Sequence, residues 1–81
     1  MQRIDFALRG DTITLDRLLK ATGLAPSGGA AKAMVAAGGV MVDGCEELRK
    51  SAQIRAGQVV GVPGTRIHVQ PMPRTQEGDA A

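Results

Sequence analysis

The stretch Ser27-Gly28-Gly29-Ala30-Ala31-Lys32-Ala33-Met34-Val35-Ala36-Ala37-Gly38-Gly39-Val40-Met41-Val42-Asp43-Gly44 decides the fold. Ser27 follows Pro26 and can accept a hydrogen bond from the first turn of a helix, so it reads as an N-cap. Ala31, Met34 and Val35 recur at helical spacing and form an apolar stripe. The opposite face carries Gly29, Ala33 and Ala36, with Lys32 on the flank. The helix is expected to run to about Ala37, and Gly38-Gly39 ends it. The pattern then changes period: Val40-Met41-Val42 reads as a strand running into Asp43-Gly44, a dipeptide suited to a two-residue hairpin turn.

Working outward toward the N-terminus, Ile4, Phe6 and Leu8 alternate with Asp5 and Ala7, the mark of a short half-buried strand. Gly10-Asp11 reads as a turn. Thr14 is placed to cap a helix reaching about Ala21, with Leu15, Leu18 and Leu19 on one stripe. Arg17 and Lys20 point away from that stripe, and Gly23 stops the helix. Toward the C-terminus, Glu47-Leu48-Arg49 returns from the hairpin turn without a clear strand pattern. Ala56-Gly57 makes a further turn, Val59 to Val62 a strand, and Pro63-Gly64 a turn of type II character. Thr65 to Val69 closes the last hairpin with Ile67 and Val69 facing inward. The expected order is β-α-α-β-β-β-β, an α+β fold with two packed helices against a small antiparallel sheet. Residues 1–70 form one domain, and the polar, Pro-containing residues 71–81 are expected to be a disordered tail.

The chain has 81 residues, one Phe, and neither Tyr nor Trp, so a small aliphatic core must hold it. No stretch approaches the roughly 20 apolar residues that a membrane span needs. Arg3 is not followed by a continuous apolar run, so a secretory signal is not expected. The single cysteine, Cys45, cannot form an internal disulfide, which agrees with a cytoplasmic location. Residues 14–70 hold seven bases and four acids, a net charge of +3, whereas residues 71–81 carry −1. That modest basic bias fits a polyanionic partner.

Catalytic chemistry finds no support in the residues. His68 lies between Ile67 and Val69 and should face away from them, as a surface or edge histidine. Cys45 has no CxxC companion and no nearby base. No ligand set for a metal and no signature of a cofactor is present, so catalytic and metal sites are both expected to be absent. Ser27-Gly28-Gly29 offers free amides at a helix start, which favour an anion. It lacks the preceding strand and the Gly-Lys-Ser/Thr ending of a nucleotide-binding P-loop. By itself it reads equally well as an ordinary cap.

The ordered set of motifs resembles a known family. Leu15-Asp16-Arg17-Leu18-Leu19, then Ser27-Gly28-Gly29-Ala30-Ala31-Lys32, then Gly39-Val40-Met41-Val42-Asp43-Gly44 look like the S-four-like RNA-binding domain, and within it the stand-alone bacterial YbcJ-like proteins. Glu47-Leu48-Arg49-Lys50 and Ala56-Gly57-Gln58-Val59-Val60 match its later motifs. The resemblance covers about residues 13–69. It implies the αL motif, two helices on a small antiparallel sheet with RNA lying across the helix pair and the adjoining hairpin. Carried over by position, Ser27, Gly28, Gly29 and Lys32 match the second-helix motif, Arg49 and Lys50 the basic pair, and Arg17 a frequent Lys. Lys20 and Arg55 complete the candidate RNA-binding set. Thr14 stands where many members have Arg, and Ser51-Ala52-Gln53 replaces a stretch that is often Gly-Arg-Lys. Both changes reduce the positive footprint. The expected partner is structured RNA, ribosomal RNA among the candidates, bound by a monomer with no membrane or small-molecule partner. The competing class is a protein-interaction module that docks the same helices on a ribosomal or other protein.

Overall fold

A computed structural model describes residues 2–72. Nine elements follow in order: β1 (Gln2–Leu8), β2 (Ile13–Thr14), α1 (Leu15–Ala21), α2 (Gly28–Ala36), β3 (Met41–Val42), β4 (Cys45–Glu46), β5 (Gln53–Ile54), β6 (Val59–Val62) and β7 (Thr65–Pro71). The α+β reading with two packed helices stands, but the order gains the two short strands β2 and β5. These pair antiparallel, Ile13 with Ile54 and Thr14 with Gln53. A two-residue ladder leaves no alternation to read in a sequence.

The larger sheet has the order β1-β7-β6-β3-β4. Its β7-β6-β3-β4 portion is antiparallel, as expected. The first strand is the exception, because β1 lies parallel to β7 along its whole length from Gln2–Thr65 to Leu8–Pro71. The last strand therefore sits between the first and the sixth. His68 is accordingly not at an edge: it is half-buried in an interior strand, on the outer face beside Asp5 and Val59. The strand also passes the expected boundary at residue 70. Pro71 pairs with Leu8, and the Met72 amide donates to the Leu8 carbonyl at 3.2 Å. Residues 73–81, the rest of the expected tail, lie outside the described residues.

The core lies between the inner sheet face and the helices. Leu15, Leu18 and Leu19 of α1 and Ala31 and Val35 of α2 meet Val60, Val62, Ile67 and Val69 of the sheet. The loop segment before β5 adds Ala52, and β5 adds Ile54. All the large members are aliphatic, as a chain with one aromatic requires.

The helix ends were read with one error. Ser27 caps α2 as expected, its hydroxyl accepting the Ala30 amide at 3.1 Å. Thr14 occupies the N-cap position of α1, but its side chain makes no capping hydrogen bond. Backbone carbonyls from a distant loop do that work instead. The Leu15 amide donates to Ala52 at 2.9 Å and the Asp16 amide to Lys50 at 3.0 Å.

The Asp43-Gly44 turn forms as its residue types demand. Both residues have positive φ, 52° and 82°, and Val42 faces Cys45 across the turn. Asp43 tolerates this backbone because its carboxylate is engaged by the Val59 amide at 2.9 Å and by the Gln58 side chain at 3.1 Å. The return strand is Cys45–Glu46, ahead of the Glu47-Leu48-Arg49 segment where the return was expected. After β4 only the Glu47 amide continues the pairing, to Val40 at 3.0 Å. The Glu47 carboxylate then accepts the Arg49 amide at 3.1 Å, a local turn that competes with the ladder. Glu47, Leu48 and Arg49 are thus loop, and so is Lys50.

Leu19 is wholly buried where α1 meets α2 and the sheet. Leu19→Ala is expected to cost about 2–5 kcal/mol, a large part of what so small a domain has to spare. A fall in the urea midpoint at unchanged slope checks this.

Candidate nucleic-acid interface

All nine candidate residues are exposed: Arg17, Lys20, Ser27, Gly28, Gly29, Lys32, Arg49, Lys50 and Arg55. They fall into groups that the chain order does not reveal. Arg17 and Lys50 each engage Asp16 in the first turn of α1. The Lys50 carbonyl takes the Asp16 amide, and the Lys50 ammonium acts on the Asp16 carboxylate. The Arg17 amide donates to that same carboxylate at 2.9 Å.

Ser27, Gly28, Gly29 and Lys32 occupy the first turns of α2. A Cβ at Gly28 would meet nothing within 4 Å, and one at Gly29 only the Ser27 hydroxyl, at 3.9 Å. The glycines are therefore not required by packing inside the protein. They leave the backbone open to close approach from outside. The hairpin adjoins the other end of this helix. A Cβ at Gly38, just past α2, would stand 2.8 Å from the Glu46 carboxylate and 3.9 Å from Leu48. Nine helical residues span roughly 13 Å, so the two ends of α2 face different stretches of any long partner.

Arg49 is not a free cation. Its Nε lies 3.2 Å from the Glu47 carboxylate. The Arg49 side chain is nonetheless 78% exposed against 22% for Glu47, and a pair with its cation open to water holds that cation weakly. Lys20 sits on the last turn of α1, before the chain turns at Gly23 toward α2. Arg55 follows β5 directly. Its amide donates to the Gln58 side chain at 2.7 Å within the turn leading to β6.

Sequence reasoning passed over Arg9 and Thr12. They line an open cavity of about 550 Å³ together with Phe6, Thr14 and Arg17. No motif marks them, because they sit in an irregular turn between β1 and β2. Only the composition of the cavity wall brings them together.

Three acids are held below their ordinary values. For Asp16 the cause is first the Thr14 hydroxyl beside it, and then the Arg17 amide and the Lys50 charge, with partial burial opposing. The Val59 amide and then Gln58 act on Asp43. The Arg49 side chain and then the Arg49 amide act on Glu47.

Comparison with known proteins agrees with this architecture. A family model described as the S4 domain matches residues 6–70. The chain is 44% identical over 57 residues to the Escherichia coli K12 protein named "Putative RNA-binding protein YbcJ", a match spanning 70% of this chain and 81% of that protein. "Uncharacterized protein YbcJ" of Shigella flexneri is similar to the same extent. The solution structure of E. coli YbcJ superposes with a TM-score of 0.60 at 37% identity, covering 86% of this chain and 87% of that one. It is described as revealing an alfaL motif involved in RNA-binding.

The depressed carboxyls imply a definite acid response. Their charged forms are favoured in the folded state, so the unfolded chain binds more protons as pH falls. Their contribution is complete above their unfolded values and is lost as pH drops through the folded ones. The urea midpoint is expected to decline below about pH 4. Thr14→Val should raise the Asp16 titration midpoint toward its ordinary 3.8 while leaving that of Asp43 in place, as read by carboxyl NMR.

Proposed function

The chain belongs to the S4 domain family, and we propose that it is a non-catalytic RNA-binding protein that grips the backbone of a structured RNA. Helix α2 and the basic arm after the hairpin form the contact surface, and rRNA, tRNA or a small RNA are the targets such a surface suits. The reading rests on one observation above the others. The loop that bears Arg49 and Lys50 is hydrogen-bonded to the first turn of α1 through Lys50 and Ala52, beside Arg17. Bases far apart in the chain thereby come to one turn of helix, and the RNA-binding name of the E. coli relative supports RNA as their ligand.

In this reading the open Gly28 and Gly29 amides and the helix dipole meet one phosphate, with Lys32 beside it. Arg49 and Lys50 meet a second stretch of backbone near the far end of α2, with Arg17 and Lys20 at the rim. Arg49 exchanges its contact with Glu47 for a phosphate. Arg55 adds charge from the turn after β5. The small, exposed Ala33 and Ala36 let the RNA backbone lie close. A chain with a single aromatic residue suits recognition by shape and backbone rather than by extensive base stacking. In this reading the protein acts as a cytoplasmic monomer without a membrane partner.

About four neutralised phosphates give a salt slope of roughly −3 to −3.5, or about a hundredfold loss of affinity between 50 and 200 mM salt. Changing Arg49→Ala and Lys50→Ala together should flatten that slope by about one to two units. Filter binding of a folded RNA checks both numbers, and an unchanged slope in the double variant removes the basic arm from the site. Absence of any retention at low salt would favour a protein-docking module instead.

A further inference from the structure

The cavity beside α1 has a chemistry that backbone gripping does not use. It opens between the end of β1, the turn through residues 9–12 and the first turn of α1, with a volume of about 550 Å³. That falls within the range of pockets that hold small organic ligands. Phe6, the chain's single aromatic residue, forms part of its wall with Ile13, and both are half-buried. Arg9 and Arg17 line it from two different elements, and Thr12 and Thr14 add hydroxyls.

Two arginines of this chain are already held by carboxylates. Arg3 is paired with Asp5 at 2.9 Å and Arg49 with Glu47 at 3.2 Å. Among the described residues, neither Arg9 nor Arg17 has a carboxylate within ion-pair distance. No carboxylate lines the cavity either. Asp11 and Asp16 are its nearest acids in sequence, and the Asp16 carboxylate is already occupied by the Arg17 amide. A flat apolar wall beside two unpaired guanidiniums and two hydroxyls matches one ligand class well. That class is an aromatic base joined to a phosphate.

We propose that this cleft is a subsite for one unpaired nucleotide, its base against Phe6 and its phosphate between Arg9 and Arg17. The proposal rests on the RNA-binding reading, since Arg17 borders both surfaces, and it adds to that reading a preference for RNA with a nucleotide free of its stack. Arg9 is brought to the cleft by the turn before β2.

The shared chemistry allows two sources, a bulged nucleotide of a folded RNA or a free nucleoside monophosphate. The test has one arm for each, using the full chain, Arg9→Gln and Phe6→Leu, the last of which keeps the apolar bulk. The first arm compares a hairpin RNA carrying one bulged nucleotide with the same hairpin fully paired. The bulged form is expected to bind roughly tenfold tighter, in keeping with the stacking of one base on an aromatic ring. Each variant should remove most of that preference, while Phe6→Leu leaves the paired hairpin within about twofold. The second arm follows amide shifts on titration with adenosine monophosphate at millimolar concentration. Shifts at residues 6–17 that weaken in Arg9→Gln support the cleft, and without a bulge preference they assign it to the free nucleotide. A preference that survives both variants, or equal binding of the two hairpins together with no such shifts, overturns the proposal. Retention of neither hairpin sinks the RNA-binding reading separately, and the monophosphate titration still decides the cleft. Arg9 is exposed, so Arg9→Gln decides the matter even if Phe6→Leu loses its fold.

Discussion

Two backbone hydrogen bonds, from Leu15 to Ala52 and from Asp16 to Lys50, are the joint on which this molecule turns. A helix start leaves its first amides without partners, and burial makes that omission expensive. Here the partners come from a loop more than thirty residues away in the chain. The short β2–β5 ladder lies directly beside them and brings Ile54 and Ala52 into the core. Without this joint the basic arm would lose its tie to α1 and keep the one to the hairpin, where the Glu47 amide donates to the Val40 carbonyl. With it, Lys50 and Arg17 flank one turn of helix.

The charges follow the same division. On the outer sheet face Arg3 is paired with Asp5, which also accepts from the Gln70 side chain. Those groups satisfy one another and leave little field for a ligand. Around the helices the bases are exposed and, apart from Arg49, none has a carboxylate within ion-pair distance among the described residues, although Lys50 acts on Asp16 from further off. A net charge of only +2 for the whole chain conceals this separation. The E. coli relative shares the architecture at 37% identity, so the same joint is open to comparison there.

Wherever one residue type met one local constraint, the sequence was legible. Ser27 had to cap α2 because its hydroxyl reaches the Ala30 amide across one turn. Asp43-Gly44 had to turn because both residues accept positive φ. Ile67 and Val69 alternate with polar neighbours and lie inward. The candidate site was legible to the same degree: α2 and its glycines could be named, and so could the basic pair. Thr14 misled because a threonine before a helix usually caps it, and nothing nearby in the chain warns that distant carbonyls have taken that role.

The sequence by itself determined the two helices, the hairpin turn, the aliphatic core and the family to which these motifs belong. Each depends on periodicity or on the conformational preference of one or two residues, which are local properties. The tertiary structure alone decided that β1 runs parallel to β7, that β5 finds β2, and that Arg9 joins Arg17 around the cavity that Phe6 lines. Those pairings join segments separated by tens of residues. They are selected by which arrangement buries the most apolar surface and leaves the fewest amides unpaired, a sum over the whole chain. No short stretch carries that sum.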